Sequence, residues 1–511
     1  MGKSNVLLLG FDGLDFRHIN RFSDSLPNFT RLKGRGPSGP LASTFPPMTP
    51  SAWPSIYTGV DPSHHGVYDF RDVPDRPGPG EDTVDRTDVT APALWNYLTV
   101  LDVPSIALNV PMTSPPDDVN GVIVPGFTTP VDATGHPTGI IEELSAALGR
   151  EYRIYPESDT VPAYLDIFRM RTKASKYLLD EYEWRFAFFQ LQHTDSVFHY
   201  RDDEEDFRRV IEAADEYLGE MLDYVGSDTH IIVCSDHGID RTRGHTIYVN
   251  QLLHDQGYLQ LEETQATDKS GYSTPPQIQR FINTILTSGY QALNRLGVAE
   301  QFRSVLPTDT LKDTTRRPVD WHSSVAYCRS GTELGIRINR TALEQTELFE
   351  FGAMEVQDEL ISYLSELQTP DGTPAFEYVK PREAVYDGGK HIQDAPDVVC
   401  MPFTRGNTIS PDVFGPSFRP NDSYEHRPNG VFIGSSPMLQ TENDIQISHT
   451  DIAPTVMSLL DVPVPERMCG QPPDELGLET TSEVYEDVPY VSAGGENDSQ
   501  VTNRLRDLGY L

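Results

Sequence analysis

The segment HIIVCSDHGID, residues His230 to Asp240, sets a carboxylate and an imidazole, Asp236 and His237, at the end of an apolar run. Burying a charged group is costly unless it is paired or binds a metal. The pair therefore belongs either to a surface turn or to a ligand. Two other apolar runs finish in the same way. Val6–Leu9 leads into Gly10-Phe11-Asp12-Gly13, and Phe186–Leu191 leads into HTDSVFHY, with Asp195 and His199 four residues apart. That spacing stacks two side chains on one face of a helical turn. Taken singly, each signal is weak: Asp12 before Gly13 suits a turn, Asp195 suits a helix cap, and a lone DxxxH is common on surface helices. Together they place acid and imidazole groups at three carboxyl ends, the edge where open parallel sheets bind ligands. Mixed His and carboxylate sets suit zinc, or manganese as a harder alternative, and two sets suggest two ions.

A fourth segment, STFPPMTPSAWPSIYTGVDPSHHGVYDF, holds Thr49 before Pro50. Proline is favoured in the first helical turn, so Thr49 is expected at the N-cap. Capping alone would explain it. Beside metals, a hydroxyl at a helix N-terminus faces free N–H donors and a positive dipole end, where phosphoryl oxygens bind, and a metal could make it a nucleophile.

The elements that must position these residues alternate along the first half. Strands are expected at Val6–Leu9, Ser105–Asn109, Val122–Val124, Phe186–Leu191 and Ile231–Cys234. Helices are expected at Pro50–Tyr57, Ala91–Thr99, Ile140–Leu148, Ala163–Trp184 and Asp206–Tyr224. Continuously apolar strands alternating with amphipathic helices predict an α/β protein with a parallel sheet covered on both faces. The organisation reads as a catalytic α/β domain in two parts, residues 1–259 and 319–478. Between them, a polar insert or cap over 260–318 has helical stretches at Gln277–Leu286 and Tyr290–Leu306. The second part predicts a strand at Gly335–Asn339, a long helix over Ala342–Leu367, strands near Val398–Met401 and Val431–Gly434, and a helix at Ile452–Leu460. An acidic tail, 479–511, closes with VTNRLRDLGYL, where Val501, Leu505 and Leu508 share one helical face and predict a docking C-terminal helix.

Composition narrows the partners. Asp and Glu total 77 against 40 Lys and Arg, a formal charge of −37, and only eight of the basic residues are Lys. Such a field disfavours binding to nucleic acid or anionic membranes. Dispersed acid with scarce Lys fits the salt-rich cytoplasm of a halophile. Cys234, Cys328, Cys400 and Cys469 form no CxxC pair and read as reduced, mostly buried thiols of a cytoplasmic protein. No apolar run approaches the ~20 residues a bilayer span requires.

Asp12, Thr49 with the downstream SIYTG, Asp195-x3-His199 and Ser235-Asp236-His237-Gly238 resemble the alkaline phosphatase superfamily. More closely they resemble its type I phosphodiesterase/nucleotide pyrophosphatase branch, in a mostly uncharacterised archaeal and bacterial subgroup. NVPMTSPPDDVNGVIVPGFTTP, VDWHSSVAYC, GIRIN, APDVV, EHRPNGVFIG, HTDIAPTVMSLLDVPVP and RLRDLGYL are similar to blocks of that subgroup, over nearly the whole chain except the insert. The resemblance implies an alkaline-phosphatase-like three-layer sandwich, a mostly parallel sheet between helical layers. It also implies two divalent ions, most simply Zn2+ with Mn2+ as the alternative. One would sit on Asp195, His199 and a later His; the other on Asp12, Asp236, His237 and the Thr49 hydroxyl, with Thr49 as nucleophile. Among His245, His254, His322, His391, His426 and His449, position favours His426, followed by His245 and then His449. In studied relatives a downstream Asn steadies the phosphoryl oxygen; Pro50, Ser51, Ala52 and Trp53 offer none.

The function so implied is cleavage of a phosphodiester or pyrophosphate in a small phosphorylated substrate, a nucleotide or nucleotide-sugar among them, through phospho-Thr49. The alternatives are a phosphomonoesterase or phosphoryl transferase of the same superfamily, and a non-catalytic metal-binding protein.

Overall fold

The structure is a computed structural model that describes residues 4–510 apart from 75, 81, 263–316, 346–351, 404–405, 437, 440–444, 493–498 and 508–509. Its centre is an eight-stranded sheet. In chain order the first strands are β1 (Asn5–Phe11), β2 (Ser38–Ala42), β3 (Ser105–Val110), β4 (Gly121–Pro125), β5 (Phe186–Leu191) and β6 (Thr229–Cys234). Across the sheet the order is Ile447–Ser448, β2, Asn429–Ser435, β6, β1, β5, β3, β4. The run from β6 to β4 is wholly parallel, and Asn429–Ser435 is antiparallel to both of its neighbours. This is the mostly parallel α/β architecture expected from the alternation.

Period-two geometry divides each central strand between two cores. Leu7, Leu9 and Phe11 of β1 join Ala187 and Phe189 of β5 and Ile231 and Val233 of β6 on one face. The helices Pro27–Lys33, Val161–Glu181 and Glu204–Tyr224 cover that face. Val6 and Leu8 join Phe186, Phe188, Ile232 and Cys234 on the other, under the helices Thr49–Thr58, Leu94–Val100 and His449–Leu459. Burial on both faces is why these strands read as unbroken apolar runs.

Most expected elements lie within two or three residues of their observed bounds. One does not, and another sits at that limit. Helix Ala342–Leu367 is not continuous: Arg340–Gln345 and Ala353–Ser365 are separate, and Gly352, extended at ψ 179°, starts the second. Apolar periodicity ran across a glycine that supplies an extended cap. Helix Ala91–Thr99 begins only at Leu94, where the Asn96 side chain accepts from the Ala93 N–H.

At the two ends of the expected insert, Gln260–Leu261 pairs antiparallel with Val319–Asp320. The insert's expected helices, Gln277–Leu286 and Tyr290–Leu306, lie outside the described residues, as does Leu508. Val501 and Leu505 of the helix Ser499–Asp507, with Tyr510 beyond it, form a buried cluster with Phe70 and Phe127. Among the described residues no helix is long and apolar enough to cross a membrane. Three of the four free cysteines are buried.

Buried histidines give the fold a defined response to acid. His65 is fully buried, with Nε2 3.0 Å from Ser55 Oγ, and burial pushes its pKa down to about 3. The same cause takes His449 to about 3. Their unfolded-state pKa is near 6.5, so the unfolded chain takes up protons first as pH falls. Stability is therefore fully present above about pH 6.5 and declines from there toward pH 3. Thermal melts of the metal-free protein should show that decline, and His65→Gln should flatten part of it.

Candidate active site

Three parallel strands deliver the expected residues to one edge. Asp12 follows β1, Asp195 and His199 lie on the helix His193–Tyr200 directly after β5, and Asp236 and His237 follow β6. The chain then returns as β7 (Gly238–Tyr248), which pairs with the antiparallel strand Phe418–Arg427 in the register Ile239↔His426. That pairing brings His426 next to His237, so that the two rings stack with centroids 3.6 Å apart.

Two clusters result. In the first, His237 Nε2 lies 3.6 Å from Asp12 Oδ1 and 3.2 Å from Asp236 Oδ2. In the second, Asp195 Oδ1 lies 3.3 Å from His199 Nε2 and 3.6 Å from His426 Nε2, and the two imidazole nitrogens are 3.2 Å apart. In each cluster the potential ligand atoms all lie within 4.8 Å of one another.

Of the later histidines, His426, ranked first on the resemblance, lies beside Asp195 and His199. His245 sits well along β7, where its N–H bonds Asn407. His254 bonds the Leu259 carbonyl, and His391 is held by Thr90 and Asp394. His449 lies beneath the site, accepting from the Thr44 N–H through Nδ1, with Nε2 3.3 Å from the Ser235 carbonyl.

Thr49 is fully buried, and its place differs by one position from the expected N-cap. It is the first residue of the helix Thr49–Thr58, and extended Met48 takes the capping position. Pro50 therefore sits at the second helical residue, which also needs no N–H partner. The helix is tied to both clusters. Trp53 Nε1 donates to Asp12 Oδ2 at 2.9 Å, and the Pro47 carbonyl lies 3.1 Å from His426 Nδ1. In sequence Thr49 lies between these two anchors, Pro47 and Trp53.

Buried polar atoms normally find partners. Here Asp12 Oδ1, Asp195 Oδ1, Asp236 Oδ2, His237 Nε2 and Thr49 Oγ1 are buried and make no hydrogen bond. Other buried side-chain atoms also lack a hydrogen bond, but the carboxylate and imidazole atoms among these five fall in the two clusters, and such donor sets fit a pair of divalent cations. The charges agree. Burial, then Asp236 and Asp195, push the Asp12 carboxyl well above its usual range, and burial does the same to Asp236. Burial lowers His237 to about 3 and lowers His426 strongly, leaving both imidazoles neutral and able to ligate. In the second cluster burial is outweighed: Asp195 falls below the usual carboxylate range beside His199 and His426, and His199 rises beside Asp195. A cation would offset the crowding of Asp12 and Asp236.

Several supporting residues carried no recognisable signal. Gln190, inside an apolar strand, donates to Asp12 Oδ2 at 3.0 Å, and Trp53 does so from an apolar helix face. Both look like core residues in sequence, because a hydrogen bond across a sheet edge leaves no period. Gly13 is legible only with the fold. Its φ is +65°, its N–H donates to Asp236 Oδ1 at 3.1 Å, and an added Cβ would stand 2.8 Å from Asp195 Oδ1. Gly13→Ala should therefore disturb both clusters through strain and clash. Loss of bound metal and of activity, with secondary structure kept by circular dichroism, is the expected outcome.

Comparison with known proteins places this geometry. A search of curated proteins gives no sequence match. The fold is that of alkaline-phosphatase-like enzymes. Phosphonoacetate hydrolase from Sinorhizobium meliloti 1021, solved with phosphonoformate, superposes with a TM-score of 0.57 at 16% identity, over 90% of this chain and 96% of that one. The alkaline phosphatase PafA gives 0.51 at 13%, over 92% and 98%. Murine ectonucleotide pyrophosphatase/phosphodiesterase 5, solved with AMP, gives 0.50 at 13%, over 90% and 95%. The sequence pattern of the type I phosphodiesterase / nucleotide pyrophosphatase family matches residues 6–410, and the chain belongs to that family. It is an enzyme of phosphoryl hydrolysis.

Proposed function

We propose that this chain is a two-metal hydrolase that cleaves a phosphodiester or pyrophosphate bond through a covalent phospho-Thr49. The observation that carries the reading is the buried, unpartnered Thr49 hydroxyl at a helix start anchored to both ligand sets. Asp12, Asp236 and His237, with Thr49, would hold one divalent ion; Asp195, His199 and His426 would hold the other, with Zn2+ or Mn2+ matching the donors. Bound there, the ions would supply positive charge that favours the ionised hydroxyl and the charge on phosphoryl oxygens.

Thr49 Oγ1 attacks phosphorus and the ester or anhydride oxygen leaves with its group. Water then breaks the Thr49–phosphorus bond and regenerates the hydroxyl. Trp53 and Gln190 fix Asp12 by its second oxygen. Gly13 fixes Asp236, and the Pro47 carbonyl orients the His426 ring, as outer partners of metal ligands do.

A cavity of about 370 Å³ adjoins the stretch leading to Thr49, lined by Ser43, Thr44, Phe45, Tyr378, Lys380 and His449 among others. Its lining includes both Lys380 and Asp61 and neither Thr49 nor any of the proposed ligand residues, so it does not define the substrate. The small ligands in two structural neighbours, AMP and phosphonoformate, support a small phosphorylated substrate, a nucleotide or nucleotide-sugar among them. A panel of mono- and diester substrates and pyrophosphates, in high salt with added zinc or manganese, tests the assignment. Turnover of monoesters alone would instead favour the phosphomonoesterase reading.

The charge of −37 and the free thiols support the salt-rich cytoplasm of a halophile as the setting. Self-repulsion is strongest when ionic strength is low. The melting temperature should rise steadily from dilute buffer to molar KCl; a flat curve would remove the halophilic assignment.

A further inference from the structure

The penultimate residue, Tyr510, reaches into the second cluster. Its hydroxyl lies 3.0 Å from His199 Nε2, 3.1 Å from His426 Nε2 and 3.4 Å from Asp195 Oδ2. The three ligand residues are themselves separated by 3.2 to 3.6 Å. Around an ion with bonds of about 2.0–2.1 Å, tetrahedral vertices stand about 3.3–3.4 Å apart. The two imidazole nitrogens and the phenol oxygen, 3.0–3.2 Å apart, have the spacing of three such vertices, with Asp195 turning Oδ1 to the histidines and Oδ2 to the phenol.

The orientation of one histidine points the same way. His426 Nδ1 faces the Pro47 carbonyl and donates there, which turns the Nε2 lone pair toward Asp195, His199 and Tyr510. The placement is built rather than incidental. The Tyr510 ring stacks on Phe70 at 4.4 Å and 16°, Leu505 and Val501 are buried beside it, and the Arg504 guanidinium lies over Tyr155 at 4.3 Å.

We propose that the Tyr510 phenol oxygen is the fourth ligand of the ion held by Asp195, His199 and His426 when no substrate is bound. The C-terminal segment then fills the coordination position a phosphoryl oxygen must take, and substrate displaces it. The inference rests on the two-metal reading above.

Copper(II) substitution gives a direct readout. The wild-type protein should show a phenolate-to-copper charge-transfer band that inorganic phosphate bleaches and Tyr510→Phe abolishes. Tyr510→Phe, whose ring keeps the stack on Phe70, should also bind one of its two zinc ions about tenfold more weakly or worse, the range for lost support at a metal site. Absence of the band in copper-loaded wild type would overturn the proposal without reference to any variant. So would an unchanged band in Tyr510→Phe. His199→Ala separates the two levels: loss of one ion in that variant, together with no tyrosine band in copper-loaded wild type, sinks only the Tyr510 role, whereas no loss of an ion sinks the two-metal centre as well.

Discussion

Replacing Thr49 with alanine should lower turnover by about 10³-fold or more, the scale of losing a nucleophile that acts in concert with its site, while leaving the fold untouched. The stability side of this expectation comes from the structure. Thr49 Oγ1 makes no hydrogen bond, and Met48 rather than Thr49 takes the cap position, so deletion removes no internal partner. Removing an unsatisfied buried hydroxyl is close to neutral or stabilising. The metal-free Thr49→Ala protein should therefore melt at or slightly above the wild-type temperature. Thr49→Ser keeps an oxygen at the same position and should retain much of the activity. Residues kept for catalysis at some cost in stability behave in this way. A Thr49→Ala protein that is unstable and also inactive would point to a structural hydroxyl instead.

The second large effect concerns the ligand sets. Asp236→Ala should lose the ion of the first cluster and His199→Ala the ion of the second, so elemental analysis should fall from near two per chain to near one in each. Stability should follow. Ligands that bind only the folded state stabilise it by about 3–4 kcal/mol at 100 to 1,000 times their dissociation constant. Without metal, the raised Asp12 and Asp236 carboxyls oppose the fold at neutral pH, because burial disfavours their charge. Chelation should lower the wild-type melting temperature by several degrees and should lower it less in Asp236→Asn. Two ions retained by both alanine variants would break the assignment of the clusters.

The sheet and its edge were legible because chemistry and pattern coincide there. Val6–Leu9, Phe186–Leu191 and Ile231–Cys234 are apolar without alternation, as strands buried on both faces must be, and each is followed within a few residues by a candidate ligand, Asp12, Asp195 or Asp236. His426 was harder. It lies 189 residues beyond His237 and sits on a polar strand, Phe418–Arg427, whose side chains are mostly half-buried and carry no clean period. Only the resemblance ranked it, and the ladder with β7 then explains its placement.

Trp53, Gln190 and Tyr510 were not legible, each for a physical reason. Side chains that act through a neighbour's second oxygen look like packing residues in sequence. A tyrosine at the chain end has no local context until the preceding helix docks. The one-position shift of Thr49 reflects proline, which is tolerated at the first or the second helical residue because both lack N–H partners.

The route through phospho-Thr49 is the central claim, and stereochemistry at phosphorus tests it without requiring the intermediate to accumulate. A diester with a single configuration at a phosphorothioate centre, hydrolysed in oxygen-18 water, gives a chiral thiophosphate monoester. Two successive in-line displacements, first by Thr49 and then by water, predict retention of configuration. Inversion would mean that water attacks directly and would contradict the account.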